Sequence, residues 1–193
     1  TVLDANDNHP IITSDDSFNF NENSTSTVTT VTSSDQDDGD SATYSISGGV
    51  DASHFAINEN TGELTFVNPP DSEDPTDSGL DNTYTITVTV TDGLLEDTQD
   101  ITITVLGVND NPPIITSNGE GSIASISFAE NSILEVTTVT SLDVDDGDTA
   151  TYSIDGDDAG DFLIDPDSGV LTFASTPDSE NPTDSGLDNT YIV

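Results

Sequence analysis

Strict alternation of apolar and hydroxyl-bearing residues is the dominant signal along this chain. In Thr83-Tyr-Thr-Ile-Thr-Val-Thr-Val-Thr91, and again in Asp100-Ile-Thr-Ile-Thr-Val105, every second residue is Tyr, Ile or Val and most of the residues between are Thr. Successive side chains of a strand point to opposite faces. A period of two therefore predicts half-buried antiparallel strands, with Tyr, Ile and Val towards a core and Thr towards water. Further strands are expected near Pro10 to Ser14, Thr27 to Thr32, Ala42 to Ile46, His54 to Ile57 and Glu63 to Val67, separated by Gly, Asp and Asn turns. Seven short strands per unit predict an all-β fold of tandem Ig-like Greek-key sandwiches.

The pattern occurs twice. Asn6-Asp7-Asn8 returns as Asn109-Asp110-Asn111, a shift of 103 residues, and Phe20-Asn-Glu22-Asn23-Ser24 returns as Phe128-Ala-Glu130-Asn131-Ser132, a shift of 108 residues. Ala42-Thr-Tyr44 answers Ala150-Thr-Tyr152, and Pro70-Asp71-Ser-Glu73 answers Pro177-Asp178-Ser-Glu180. The expected organisation is residues 1–8 as the end of a preceding repeat and a linker, 9–108 as the first repeat, 109–112 as a linker, and 113–193 as a second repeat. Tyr191-Ile-Val193 is the counterpart of Tyr84-Thr-Ile86, so the second repeat is expected to lack its last two strands. The segment is then either part of a longer array or completed by a neighbouring chain, the first being preferred.

Charge sets what must accompany this fold. The chain holds 39 acids and no Lys or Arg, a formal charge of -39, and its apolar share is 31%, which predicts thin cores. No ammonium or guanidinium is present to neutralise the carboxylates, so a cation from outside is required. Asp, Glu and Asn offer hard oxygen ligands that suit Ca2+, whereas zinc sites usually call on Cys or His. The same composition excludes a nucleic-acid partner and electrostatic membrane attachment, both of which need basic residues. No stretch is long and apolar enough to insert in a bilayer. With no Cys there is no disulfide, which leaves ligated metal as the means of stiffening.

Four motifs carry a family resemblance. Glu22-Asn23, Asp71-Ser-Glu73, Asn109-Asp110-Asn111-Pro-Pro113 and Asp143-Val-Asp145 resemble, in order and spacing, the calcium motifs of cadherin repeats. The resemblance implies that Glu22, Asp71 and Glu73 meet Asp110, with Asn109, Asn111, Asp143 and Asp145 completing a junction of up to three ions. It also implies an upstream half-junction from Asp4, Asn6, Asp7, Asn8, Asp35, Asp37 and Asp92. Glu130, Asp178 and Glu180 are expected to await a further repeat. Gly107 departs from the pattern, standing where Asp4 stands in the earlier linker, so one ligand is expected to be missing. The stretch Asp74-Pro-Thr-Asp-Ser-Gly-Leu-Asp-Asn82, repeated as Asn181 to Asn189, is longer than the family's usual link. Together with the missing Lys and Arg, it makes the chain more similar to bacterial cadherin-like repeats of large surface adhesins than to animal cadherins.

Other chemistries fit less well. The Asp-x-Asp-Asp-Gly stretches resemble an EF-hand start, but Gly39 and Gly147 come one residue early and the twelfth position is Ile46 or Ile154 instead of Glu. Paired carboxylates without Trp or any cationic side chain do not suit glycoside hydrolysis, and the chain is read as no enzyme. His9 and His54 have no His counterpart in the other repeat and are not read as zinc ligands. Asn23-Ser-Thr25 fits a glycosylation sequon, meaningful only in a eukaryotic secretory setting. The expected function is a calcium-stiffened spacer at the cell surface, its partners Ca2+, neighbouring repeats, and like chains or polysaccharide. The alternatives are a module that itself binds carbohydrate, ice or its own copies through a Thr face, and a surface protein whose acidity serves hydration at high salt.

Overall fold

A computed structural model of the chain describes residues 5–37, 41–119, 121, 123–132 and 135–193. The chain divides into two compact units, Thr1–Val108 and Asn109–Val193. Residues 109–112, expected as a separate linker, belong to the second unit. No helix among the described residues is long and apolar enough to cross a membrane.

The first unit contains β1 (Ile11–Ile12), β2 (Ser17–Asn21), β3 (Thr29–Thr30), β4 (Ser33–Ser34), β5 (Thr43–Gly48), β6 (Phe55–Ile57), β7 (Glu63–Phe66), β8 (Thr83–Thr91) and β9 (Glu96–Leu106). They form a four-stranded sheet in the order β2-β9-β8-β5, a three-stranded sheet β3-β7-β6, and the pair β1-β4. Two expected strands are broken. The segment 11–21 pairs first with β4 and then with β9, and the segment 29–34 pairs first with β7 and then with β1. Counting each broken strand once leaves the seven of the sandwich. β2 lay outside the expected strands, and it runs parallel to β9, with Phe20 beside Val105. The strands expected to be antiparallel, β8 and β9, do pair that way. Parallel pairing between segments so far apart in the chain leaves no local turn signature to read.

The alternation of β8 and β9 is realised as burial. Tyr84, Ile86, Val88 and Val90 alternate with less buried Thr, although Thr89 is itself covered, and Ile101, Ile103 and Val105 do the same on β9. With Phe20, Val31, Phe55 and Leu64 these side chains, Val90 apart, close one core between the sheets. Burying a side chain of this size contributes about 1.5–3 kcal/mol. Four rings anchor it: Phe66 lies 5.1 Å from Phe20, 4.3 Å from Phe55 and 5.2 Å from Tyr84.

The second unit repeats this plan on a smaller scale. Its strands are β10 (Ile114–Ile115), β11 (Glu135–Thr138), β12 (Ser141–Leu142), β13 (Phe162–Ile164) and β14 (Val170–Phe173), in sheets β11-β14-β13 and β10-β12. Counting β11 and β12 once, as for β3 and β4, leaves four strands among the described residues, against seven in the first unit. Phe173 again gathers three rings, Phe128 at 5.2 Å, Phe162 at 4.4 Å and Tyr191 at 5.1 Å. Among its described residues only Phe162 and Leu171 are buried apolar side chains, while Ile114, Ile115 and Leu142 are exposed.

Candidate metal centre

Acidic residues collect at both ends of β8 in the first unit. A nine-residue strand spans about 30 Å at roughly 3.3 Å per residue, so these two collections are separate.

At the end that follows Thr91, Asp37 is the organising group. Its Oδ2 accepts the backbone N–H groups of Asp7 and Asn8, both at 2.8 Å, and its Oδ1 accepts the Asn8 amide at 2.7 Å. The Asn8 and Asp7 donors hold the Asp37 carboxyl below its ordinary pKa. Asp35 in turn accepts the Asp37 N–H at 3.0 Å. Asp92 accepts the N–H groups of Leu94 and Leu95 through Oδ1, at 2.7 and 2.8 Å, and those of Leu95 and Leu94 lower its pKa. Asp92 Oδ2 and Asn6 Oδ1 are buried oxygen acceptors with no hydrogen bond. A recess of about 140 Å³ between Pro10, Ser33, Asp35, Ala42 and Asp92 opens beside them. Buried acceptors lacking a donor are what an oxygen-seeking cation would satisfy. Asp4 lies outside the described residues.

At the end that precedes Thr83, Glu22 takes the corresponding place. It is buried, accepting Ser72 N at 2.7 Å and Val108 N at 2.6 Å. Burial pushes its pKa up, but the donors of Ser72 and Val108 outweigh that, and the carboxyl stays below its ordinary range. Glu22 and Glu73 each bring a carboxylate oxygen within 4.8 Å of the other. The one hydroxyl of Ser72 lies 3.1 Å from Glu22 Oε1 and 2.5 Å from Glu73 Oε1. One proton cannot satisfy both carboxylates at once. Asp71, expected beside them, has its Oδ1 turned back on its own turn, accepting Glu73 N and Asp74 N at 3.0 and 3.2 Å.

The second unit holds the matching sets. Asp145 is buried, its Oδ2 accepting Asp110 N at 3.1 Å and Asn111 N at 2.8 Å and its Oδ1 the Asn111 amide at 2.9 Å. The Asn111 amide is the chief cause of its lowered pKa. Asp143 accepts Asp145 N at 3.1 Å, and the Asn109 amide donates to Asp148. Asp143, Asp145 and Asp148 each offer an oxygen within 4.8 Å of the others, and so do Glu130, Asp178 and Glu180. Glu130 accepts Ser179 N at 2.8 Å as Glu22 accepts Ser72 N.

Three groups escaped sequence reasoning: Asp148, Ser72 and the buried aspartates Asp51 and Asp77 with their counterparts Asp158 and Asp184. The near-exact duplication of the stretch 74–82 was the available signal for Asp77. The Thr ladder is internally engaged, Thr87 donating to Asp100 at 2.6 Å and Thr89 to Ser47 at 2.6 Å.

The family model described as cadherin domain matches residues 16–106. The chain is 35% identical over 137 residues to protocadherin Fat 4 of Homo sapiens, covering 67% of the chain and 2% of that protein. It is 31% identical over 190 residues to cadherin EGF LAG seven-pass G-type receptor 1 of Homo sapiens, covering 94% of the chain and 6% of that protein. The chain thus spans a few per cent of the length of these relatives. Among solved structures, mouse cadherin-23 EC22-24 superposes with a TM-score of 0.65 at 28% identity, over 92% of this chain and 57% of that one. The human desmocollin-1 ectodomain gives 0.68 at 29% identity, over 92% and 36%.

Proposed function

Residues 16–106 form a cadherin domain, and from that premise we propose that this chain is a stretch of extracellular adhesion repeats whose joints are stiffened by Ca2+. The observation that carries the reading is the approach of three carboxylate oxygens, from Asp143, Asp145 and Asp148, to within 4.8 Å of one another in a chain without a single Lys or Arg. Three such charges repel unless a cation joins them. The residues that would hold calcium are Glu22, Glu73, Asp110, Asn109, Asn111, Asp143, Asp145 and Asp148, with Asp71 as a further candidate. Bound calcium would supply positive charge and fixed coordination, and no bond-breaking chemistry.

Val108, held by Glu22 in the first unit, is followed directly by Asn109, held by Asp148 in the second. The half-set Asn6, Asp7, Asn8, Asp35, Asp37 and Asp92, with Asp4, and the set Glu130, Asp178 and Glu180 would serve further joints of the same kind. Extracellular calcium modules bind with dissociation constants of about 10^-4 to 10^-3 M, so such joints are stiff outside a cell and slack inside one. An ion at 100 times its dissociation constant stabilises the folded state by about 2.7 kcal/mol.

The finer reading is a spacer in a bacterial surface adhesin or matrix filament, supported by the absence of Lys and Arg and by the duplicated stretch 74–82. The module that itself binds carbohydrate, ice or like chains has less support, since the Thr87 and Thr89 hydroxyls already have partners. Calorimetric titration with Ca2+, run beside scattering measurements of length, tests the proposal. Saturable binding that raises the thermal midpoint and lengthens the particle is expected. No binding, or equal stabilisation by NaCl at matched ionic strength, would overturn it in favour of hydration by acidity.

A further inference from the structure

The duplicated stretch 74–82 has no role in the ligand set, yet it is among the most densely bonded segments of the first unit. Asp77 at its centre is 1% exposed and accepts three backbone N–H groups, from Gly79 at 2.9 Å, Asp81 at 3.1 Å and Asn82 at 3.0 Å. Asp51, 2% exposed, reaches out from the sandwich to accept Ser78 N at 2.7 Å and Thr85 N at 2.8 Å. Thr76 Oγ1 lies 3.3 Å from the hydroxyl of Tyr84, a core ring. The stretch is thus pinned to the body of the sandwich at several points.

Its last residue points the other way. Asn82, at φ 63°, is fixed by Asp77 through its N–H and donates its side-chain amide to Ser72 O at 2.8 Å. Ser72 in turn donates its N–H to Glu22 and places its hydroxyl against Glu22 and Glu73. A continuous path of hydrogen bonds therefore runs from the buried Asp77, through Asn82 and Ser72, to the two carboxylates. The second unit repeats it: Asp184 accepts Asn189 N at 3.0 Å, Asn189 donates to Ser179 O at 3.1 Å, and Ser179 N donates to Glu130. Recurrence in two units of different completeness argues that the path is built and not incidental.

We propose that the stretch 74–82 is a strut that pre-sets the Glu22 and Glu73 carboxylates for a divalent cation, with Asn82 as the positioning residue; this rests on the calcium reading above. Groups that orient metal ligands without touching the metal typically change affinity by about 10- to 100-fold when removed. The strut replaces part of the ordering that an ion would otherwise have to impose on two repelling carboxylates.

The test is Asn82→Gly, which tolerates the left-handed backbone and deletes only the amide, measured in the full chain by calcium calorimetry and by melting in chelator. Calcium affinity about tenfold weaker at an unchanged number of ions, with the calcium-free midpoint lowered only slightly, is the expected result. Asn189→Gly, the same deletion in the second unit's copy of the path, gives a second reading that survives if Asn82→Gly unfolds the first unit, and is also expected to bind more weakly. Unchanged affinity in every variant that folds overturns the strut alone. Failure of the unaltered chain to bind Ca2+ overturns the calcium reading and the strut with it.

Discussion

The Val108 N–H donates to Glu22 Oε1 at 2.6 Å, so the last residue of the first unit is tied to a carboxylate that also accepts the Ser72 N–H. Glu22→Gln would turn an amide donor towards one of these donors. Leaving a buried N–H without an acceptor costs about 1–3 kcal/mol. A lower denaturant midpoint for the first unit is expected with and without calcium, the larger drop occurring with calcium. Equal midpoints in denaturation curves would show that Glu22 does not order this end.

Gly107 stands where a side chain would meet the same carboxylates. A Cβ there would lie 3.1 Å from Ser72 Oγ and 3.8 Å from both Glu22 Oε1 and Glu73 Oε1. Ser72 Oγ ends a short rotatable side chain, so it can give way. Gly107→Asp would add a third negative charge, destabilising the calcium-free unit by about 1 kcal/mol for charges near 4 Å in a watery setting. With calcium the added carboxylate becomes a ligand, and affinity should rise about tenfold, or about 1.4 kcal/mol. Calorimetry and melting in chelator must move in opposite directions for this to hold.

Asp77 should give the first unit a distinct pH dependence. Burial acts to raise its pKa, but the N–H groups of Asp81, Asn82 and Gly79 together bring it below the ordinary 3.8. A lowered folded pKa means that the charge contributes stability above the ordinary value and that this contribution is lost as pH falls through the folded one. Asp77→Asn removes that charge and sets an amide against three donors. The stability gap between the two proteins should be constant above pH about 5 and shrink below pH about 3.8. Comparing the gap cancels the relief of general repulsion on protonation, and a gap that stays constant down to pH 2 would refute the prediction.

Leu80 and Leu187 occupy the left-handed region, each at φ 54°, with side chains 69% and 68% exposed. This conformation costs an ordinary L-residue about 1–2 kcal/mol, whereas Asn adopts it readily. Leu80→Asn is expected to raise the thermal midpoint of the first unit by a few degrees. A fall instead would reveal a contact made by the leucine.

The strand pattern was legible in the sequence, because it is local. Period-two alternation reports the two faces of β8 and β9 directly, and Tyr84, Ile86, Ile101 and Ile103 are buried as that alternation requires. The oxygen-rich, cation-free composition called for a divalent ion without reference to any fold. Carboxylate oxygens of Asp143 and Asp145, and of Glu130, Asp178 and Glu180, lie within 4.8 Å of one another.

Tertiary structure decided what each acid does. Asp77 and Asp71 are the same residue type six positions apart, yet one is buried under three N–H donors and the other caps an exposed turn. The parallel pairing of β2 with β9 and the role of Ser72 were equally hidden. The physical reason is common to all of them. A side chain's period is carried by its own backbone, whereas the environment of a carboxylate is set by N–H groups that arrive from distant segments once the sheets have closed.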